Sequence, residues 1–193
     1  MSQIDLNKQD EQLRVEADKL LFEKGLMEIL NKYGAVHVHG SYLLKLMTWR
    51  DLDIYLESEK FTVKNYFELG QEIAMAFNPL KMSYKDNRAG NFKSEPQGFY
   101  WGIKVNIFAQ TTWKLDIWAM DKHECLEKLK IYQSLSSALT LENRNYILTI
   151  KDKLCTHPGY RDKITSLDIY QAVLFNNVKN INEFWQFIKD QKQ

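Results

Sequence analysis

Two periods of hydrophobic and polar residues run along this chain and divide it into predicted helices and strands. Residues 2–34 carry apolar side chains at helical spacing, and Ser2 followed by Asp5 is typical of a cap at a helix N-terminus. This segment predicts a long first helix with a bend near Gly25. A second apolar stripe over residues 61–77 predicts another long helix, which ends before an Asn-Pro pair that disfavours helical backbone.

Elsewhere in the first two thirds of the chain, apolar residues alternate with a period of two, which is typical of strands. The predicted strands cover residues 35–39, 51–57, 81–88, 98–108 and 113–120, with a short helix over 41–47. The spacing from Phe108 to Trp113 predicts a tight hairpin between the last two strands. Successive strand side chains point to opposite faces, so we expect Leu115, Ile117 and Ala119 to face the core.

The pattern after residue 121 is helical only. The predicted helices cover residues 124–136, 140–155, 166–176 and 182–190. Thr165 followed by Asp168, and Asn180 followed by Glu183, are typical of helix N-terminal caps.

These elements together predict an α+β fold in which helices flank a mixed sheet. We expect the sheet and its first helices to form one domain over residues 1–120, followed by a helical subdomain over 121–193. With 193 residues, the chain is long enough to bury a substantial core.

Composition and charge narrow the function classes. Hydrophobic residues make up 45% of the chain and the formal net charge is +1, which is typical of a compact protein rather than a disordered or polycationic one. A net charge this close to zero makes nucleic acid an unlikely partner, because nucleic-acid binding depends on phosphate contacts. No apolar run approaches the ~20 residues of a membrane span, and the N-terminus is acidic, unlike a signal peptide. We therefore expect a cytoplasmic protein with no membrane partner.

The chain has two cysteines, Cys125 and Cys155. Neither lies in a sequence spacing typical of zinc ligands or of a redox pair, so both are expected to be reduced and structural. His157 follows Cys155 closely enough to suggest a nucleophilic pair, but residues two apart on a helix do not face each other.

Candidate chemistry is concentrated on two of the predicted strands. Asp51 and Asp53 share one face of their strand, and Asp116 on the last strand can face the same cleft. Like charges held close together are costly unless a cation lies between them, and carboxylate oxygens suit Mg²⁺ bound together with substrate phosphates. We expect Asp51 and Asp53 to bind Mg²⁺, with Asp116 as a further metal ligand or a general base. The simpler alternative is a solvated strand face with a surface ion pair.

A Gly-Ser turn precedes these carboxylates. Gly40 would let the backbone approach phosphate groups closely, and Ser41 would offer a hydroxyl and backbone N–H groups to phosphate oxygens. Lys45 and Arg50 lie close enough in sequence to add positive charge to a nucleotide site.

His37 and His39 point to the same face of the preceding strand. His39, directly before the Gly-Ser turn, could touch a nucleotide or bind metal, but a structural histidine beside a polar cleft is the commoner case.

The Gly-Ser turn, the Asp-x-Asp strand and the later apolar-Asp-apolar strand together resemble the nucleotidyltransferase superfamily that includes DNA polymerase beta and the antibiotic nucleotidyltransferases. The resemblance covers roughly residues 35–120. It implies that Gly40 and Ser41 hold a nucleoside triphosphate, and that the paired aspartates and the third carboxylate bind Mg²⁺ or act as base. The small size and helical tail are similar to the lincosamide and aminoglycoside enzymes.

The resemblance implies transfer of a nucleoside monophosphate from an NTP to a hydroxyl acceptor, with release of pyrophosphate. We expect a small-molecule acceptor, with an antibiotic as the sharpest hypothesis. Two alternatives stay open: a protein-modifying nucleotidyltransferase of the toxin or antitoxin type, and a nucleotide-binding module without turnover. The sequence does not determine the oligomeric state.

Overall fold

A computed structural model describes residues 2–92, 95–108, 111–160 and 164–191 of the protein. Its helices are α1 (Gln3–Asp18), α2 (Leu26–Asn31), α3 (Gly40–Leu43), α4 (Val63–Phe77), α5 (Lys122–Ala138), α6 (Leu141–Leu154), α7 (Ser166–Phe175) and α8 (Ile181–Asp190). Its strands are β1 (Ala35–His39), β2 (Asp51–Glu57), β3 (Lys81–Asp86), β4 (Phe99–Phe108) and β5 (Thr111–Met120). The predicted α+β class is confirmed.

The first helical segment begins and bends as predicted. The Ser2 hydroxyl accepts a hydrogen bond from the Asp5 N–H, and the Asp5 carboxylate accepts one from the Ser2 N–H. A π-helical turn follows α1 over Lys19–Glu23. The chain then bends at Gly25, whose φ of 81° is readily adopted only by glycine, before α2 begins.

The five strands form one mixed sheet in the order β1-β2-β5-β4-β3. The central pair, β2 and β5, is parallel, and every other neighbouring pair is antiparallel. The predicted edge strand β3 lies at one edge. The tip of the β4–β5 hairpin, residues 109–110, lies outside the described residues.

One face of the sheet is apolar and carries the main core. Leu52 and Ile54 of β2, together with the predicted Leu115 and Ile117 of β5, are fully buried. They pack against apolar side chains of α1, the π-helical turn, α2 and α4. Alternation along the strands leaves the opposite face, called the polar face below, to carry Asp51, Asp53 and Asp116.

The helices after β5 have a second core of their own. It is built mainly from α6, α7 and α8, as the helical spacing predicted, and it also takes in Leu6 of α1 and the buried Leu44 and Leu46 after α3. In the part of the chain that the structure describes, no helix is long and apolar enough to cross a bilayer.

One predicted element is wrong in its extent. The helix expected over 41–47 ends at Leu43, because Lys45 adopts a left-handed φ of 57°. Leu46 and Met47 beyond it are fully buried and anchor the chain as it approaches β2.

Candidate active site

Strand register brings the predicted carboxylates together. Asp53 of β2 lies directly beside Asp116 of the parallel strand β5, and Asp51 lies beside Lys114. Because neighbouring residues in register point to the same face, all three carboxylates are on the polar face. Asp51 and Asp116 keep 15% and 17% of their side chains exposed, so the cluster can be reached from solvent.

Gly40 fits against this cluster. Its φ of 65° lies in the left-handed region, and a Cβ added at this position would lie 2.0 Å from Asp53 Oδ2. Only glycine can therefore turn the chain here without colliding with the carboxylate. Ser41 is buried beside it and lines the same small cavity.

The cluster disfavours a charged Asp53. Burial, followed by the negative charges of Asp51 and Asp116, raises the pKa of Asp53 to about 7. A cation bound beside Asp53 would stabilise its charged form, because it would offset the repulsion from Asp51 and Asp116.

Lys114 and Tyr100 engage the edge of the cluster. The Lys114 ammonium donates a hydrogen bond to Asp116 Oδ2 and lies 3.7 Å from Asp51 Oδ1. Tyr100 on β4 donates to Asp116 Oδ1 at 2.6 Å. Although burial lowers the pKa of Lys114, Asp51 and Asp116 outweigh it and keep this pKa raised. A positive charge therefore already lies beside the carboxylates.

The helical tail closes the site. A cavity of about 60 Å³, called the carboxylate cavity below, lies between the polar face and the helices after β5. Its walls are Gly40, Ser41, Trp49, Asp51, Asp53, Tyr132, Ser166, Leu167 and Tyr170. The last four come from α5 and α7, and the sequence patterns did not identify them as site residues.

Lys151 of α6 is another residue that the sequence analysis missed. It is fully buried; its ammonium donates to the Leu46 carbonyl at 2.6 Å and to the Tyr170 hydroxyl at 3.2 Å. It also lies 4.6 Å from the centre of the Trp49 ring, in cation–π contact with a wall of the cavity. The sequence does contain a sign of this burial: Lys151 lies on the same face of α6 as the buried Ile147 and Leu154, where an apolar residue is expected.

Lys45 and Arg50, the two cationic residues predicted near the Gly-Ser turn, do not line the carboxylate cavity. The Lys45 side chain is exposed, and its backbone carbonyl accepts a hydrogen bond from Arg144. Arg50 forms a two-pronged ion pair with Glu16 of α1, at 2.6 and 2.9 Å. A role for Lys45 and Arg50 in nucleotide binding stays a prediction.

His39 packs as an aromatic side chain. It is buried, its ring centre lies 3.7 Å from that of Tyr55, and it lies 4.8 Å from that of Tyr132. Neither ring nitrogen has a hydrogen-bond partner among the described residues. Burial lowers the pKa of His39 to about 3, so the ring is neutral at pH 7.

The carboxylate cluster fits a divalent cation. It offers several hard oxygen ligands on adjacent strands, and its central member, Asp53, is buried among like charges. Gly40 lets the backbone pack directly against the Asp53 carboxylate, which a side chain at this position would displace.

Comparison with known proteins gives matches at the level of structure. No family model matches the sequence, and no curated protein sequence has a significant match. Among solved structures, the fold is similar to the Cid1 poly(U) polymerase bound to MgATP, with a TM-score of 0.59, 12% identity and 92% of this chain covered. It is also similar to a cytoplasmic RNA terminal U-transferase, with a TM-score of 0.55, 11% identity and 90% covered. A third match is the GLD-2/RNP-8 complex, with a TM-score of 0.55, 11% identity and 89% covered.

These matches show the fold. The protein shares its fold with the matched poly(U) polymerase and RNA terminal U-transferase, in agreement with the nucleotidyltransferase fold that the sequence resemblance implied. The chain spans 57%, 54% and 62% of the lengths of the three structures. The resemblance to antibiotic-modifying enzymes stays a prediction.

Proposed function

We propose that the protein is a Mg²⁺-dependent nucleotidyltransferase that moves a nucleoside monophosphate from an NTP to a hydroxyl acceptor. The observation that carries this proposal is the convergence of Asp51, Asp53 and Asp116 beside Gly40. Solved structures of the same fold that are named as polymerases, one bound to MgATP and another to MgGTP, support it.

The residues divide the chemistry between them. Asp51 and Asp53 would hold Mg²⁺. When bound, the ion would neutralise the phosphate oxygens and activate the acceptor hydroxyl. The Ser41 hydroxyl would donate a hydrogen bond to a phosphate oxygen, and Gly40 lets this turn pack against Asp53.

The transfer itself exchanges one phosphorus–oxygen bond for another. The acceptor oxygen attacks the α-phosphorus and forms the new ester bond, while pyrophosphate leaves with the electron pair of the broken bond. Asp116 would accept the hydroxyl proton or complete the metal's ligand shell. Tyr100 and Lys114 each donate a hydrogen bond to one of its two oxygens and so hold the carboxylate in one orientation.

Two classes of acceptor are supported by different observations. A formal net charge of +1 favours a small molecule, because binding to nucleic acid depends on cationic contacts with phosphates. The names of the structural neighbours, a poly(U) polymerase and an RNA terminal U-transferase, favour the terminal hydroxyl of an RNA. We also propose that a catalytic domain ends, and a helical subdomain begins, at residue 120. We further propose a cytoplasmic location, where the free Cys125 and Cys155 would stay reduced.

The test is pyrophosphate release with each of the four NTPs, with Mg²⁺ and with EDTA, against RNA oligonucleotides and a panel of small hydroxyl compounds. Product labelling by radioactive NTP identifies the acceptor. We expect Mg²⁺-dependent release, and a loss of at least ~100-fold in Asp53→Asn, which corresponds to ~2.7 kcal/mol of transition-state stabilisation.

The matched control is Asp190→Asn, the same change at an exposed position at the end of α8, which should keep wild-type rates. Mg²⁺-dependent NTP binding without release against any acceptor would instead indicate a binding module. Label on protein rather than on RNA or a small molecule would indicate a protein-modifying enzyme. Activity retained in Asp53→Asn would contradict the proposed site.

A further inference from the structure

A second group of metal-ligand side chains lies on the polar face, away from the carboxylate cavity and toward the C-terminal end of β2. His37 of β1, Glu57 at the end of β2 and Cys125 of α5 each offer one ligand atom, and these atoms lie within 4.8 Å of one another. His37 Nε2 and Glu57 Oε2 are 3.1 Å apart. None of the three lines the carboxylate cavity.

The burial of these side chains suits an ion that enters from one side. Cys125 is fully buried where α5 packs on the sheet, beside Tyr55, Trp118 and Met120. His37 and Glu57 keep 32% and 21% of their side chains exposed. A cation could therefore reach the group from solvent and find the thiol as its innermost ligand.

The donor set favours one kind of metal. Imidazole nitrogen, carboxylate oxygen and thiolate sulfur together are typical ligands of Zn²⁺, whereas Mg²⁺ prefers oxygen alone. Zinc–ligand bonds of ~2.0–2.3 Å in a tetrahedron place ligand atoms ~3.3–3.6 Å apart. The His37–Glu57 separation of 3.1 Å is close to this value, and all three ligand atoms lie within 4.8 Å of one another.

We propose that His37, Glu57 and Cys125 form a zinc site, with water as the fourth ligand. On binding, the Cys125 thiol loses its proton to solvent and the thiolate sulfur bonds to the ion. The ion would join β1 and β2 to α5, the helix that also places Tyr132 in the wall of the carboxylate cavity. The expected role is structural, and it does not depend on the proposed nucleotidyl transfer.

The test uses the full chain, freed of metal and titrated with Zn²⁺ in excess Mg²⁺, which would compete with Zn²⁺ for the all-oxygen aspartate cluster. We expect one Zn²⁺ per chain and a higher melting temperature with the ion than without it. Titration with Co²⁺ alone should produce the thiolate-to-cobalt charge-transfer absorption and the visible bands of a tetrahedral site.

Two cysteine variants give a matched comparison. Cys125→Ser should weaken Zn²⁺ binding at least ~10-fold and remove the charge-transfer absorption, while Cys155→Ser, at an exposed cysteine, should leave both unchanged. His37→Asn should also weaken binding, and its half-exposed position makes it tolerant to change if the buried Cys125→Ser variant fails to fold. A wild-type protein without the charge-transfer absorption, or equal Zn²⁺ affinity in His37→Asn, would overturn the proposal.

Discussion

The two faces of the central sheet are built from the same strands but serve different purposes. On β2, Leu52 and Ile54 point into the apolar core and are fully buried, while Asp51 and Asp53, which alternate with them, point to the polar face. The apolar face gains stability from each buried side chain. The polar face instead holds like charges together, which costs stability and prepares a cation site. A single strand can therefore supply both stability and chemistry, because its side chains alternate.

The largest effect is expected from Ile54→Ala on the apolar face. Removing three side-chain carbons from a fully buried position loses transfer free energy and leaves a cavity, so the free energy of unfolding should fall by about 2–5 kcal/mol. Chemical denaturation measures this change. Ile131→Ala, the same change at a position on α5 that is 45% exposed, should cost less than about 0.5 kcal/mol. Similar losses at the two positions would contradict the assignment of the apolar face.

Asp53→Asn is expected to increase the stability of the metal-free protein, whereas Ile54→Ala decreases it. The pKa of Asp53 rises from about 3.9 in the unfolded chain to about 7 in the fold, so ionisation costs stability as pH rises through about 7. Asparagine does not ionise, so the variant should melt at a higher temperature than the wild type at pH 8 and differ less at pH 5. Melting curves in EDTA at the two pH values measure this difference. A variant that is less stable at pH 8 would show that the carboxylate is not held against repulsion.

The smallest effect is expected from Lys114→Met. The ammonium lies between Asp51 and Asp116, where it offsets the repulsion that favours a bound cation. Its removal should lower the Mg²⁺ concentration for half-saturation several-fold, as measured by calorimetry, because a pair near a protein surface contributes only about 1 kcal/mol. Lys104→Met is the matched control, since Lys104 lies beside Lys114 on the next strand and its side chain is exposed. Weaker Mg²⁺ binding in Lys114→Met would indicate that the lysine helps to hold the site in shape.

Much of the fold followed from periodicity, because local patterns reflect which face of an element is buried. The strands at 35–39 and 51–57 have the predicted bounds, and the helices after residue 121 lie within two residues of theirs. The short helix after Gly40 was too long in the prediction, because a left-handed Lys45 ends it and nothing in the pattern of apolar residues marks that backbone conformation.

The candidate site was predictable in part, for a related reason. Asp51, Asp53 and Asp116 were found because strand alternation assigns each of them a face. Lys151 and Tyr132 were missed because they enter the site from helices that are distant in sequence, and helix packing is not written in local patterns. The role of Arg50 at the nucleotide stays a prediction; its ion pair with Glu16 of α1 could not be read from local spacing, because the two residues lie 34 positions apart.

By itself, the sequence determined the fold class, the bounds of most elements and the face on which each carboxylate lies, because these depend on spacing along one segment. Tertiary structure alone decided which residues from distant parts of the chain come into contact. It placed Asp116 beside Asp53, covered the cavity with Tyr132 and Tyr170, and brought Cys125 to His37 across 88 residues. No spacing rule predicts that last juxtaposition, because it depends on how α5 returns across the sheet.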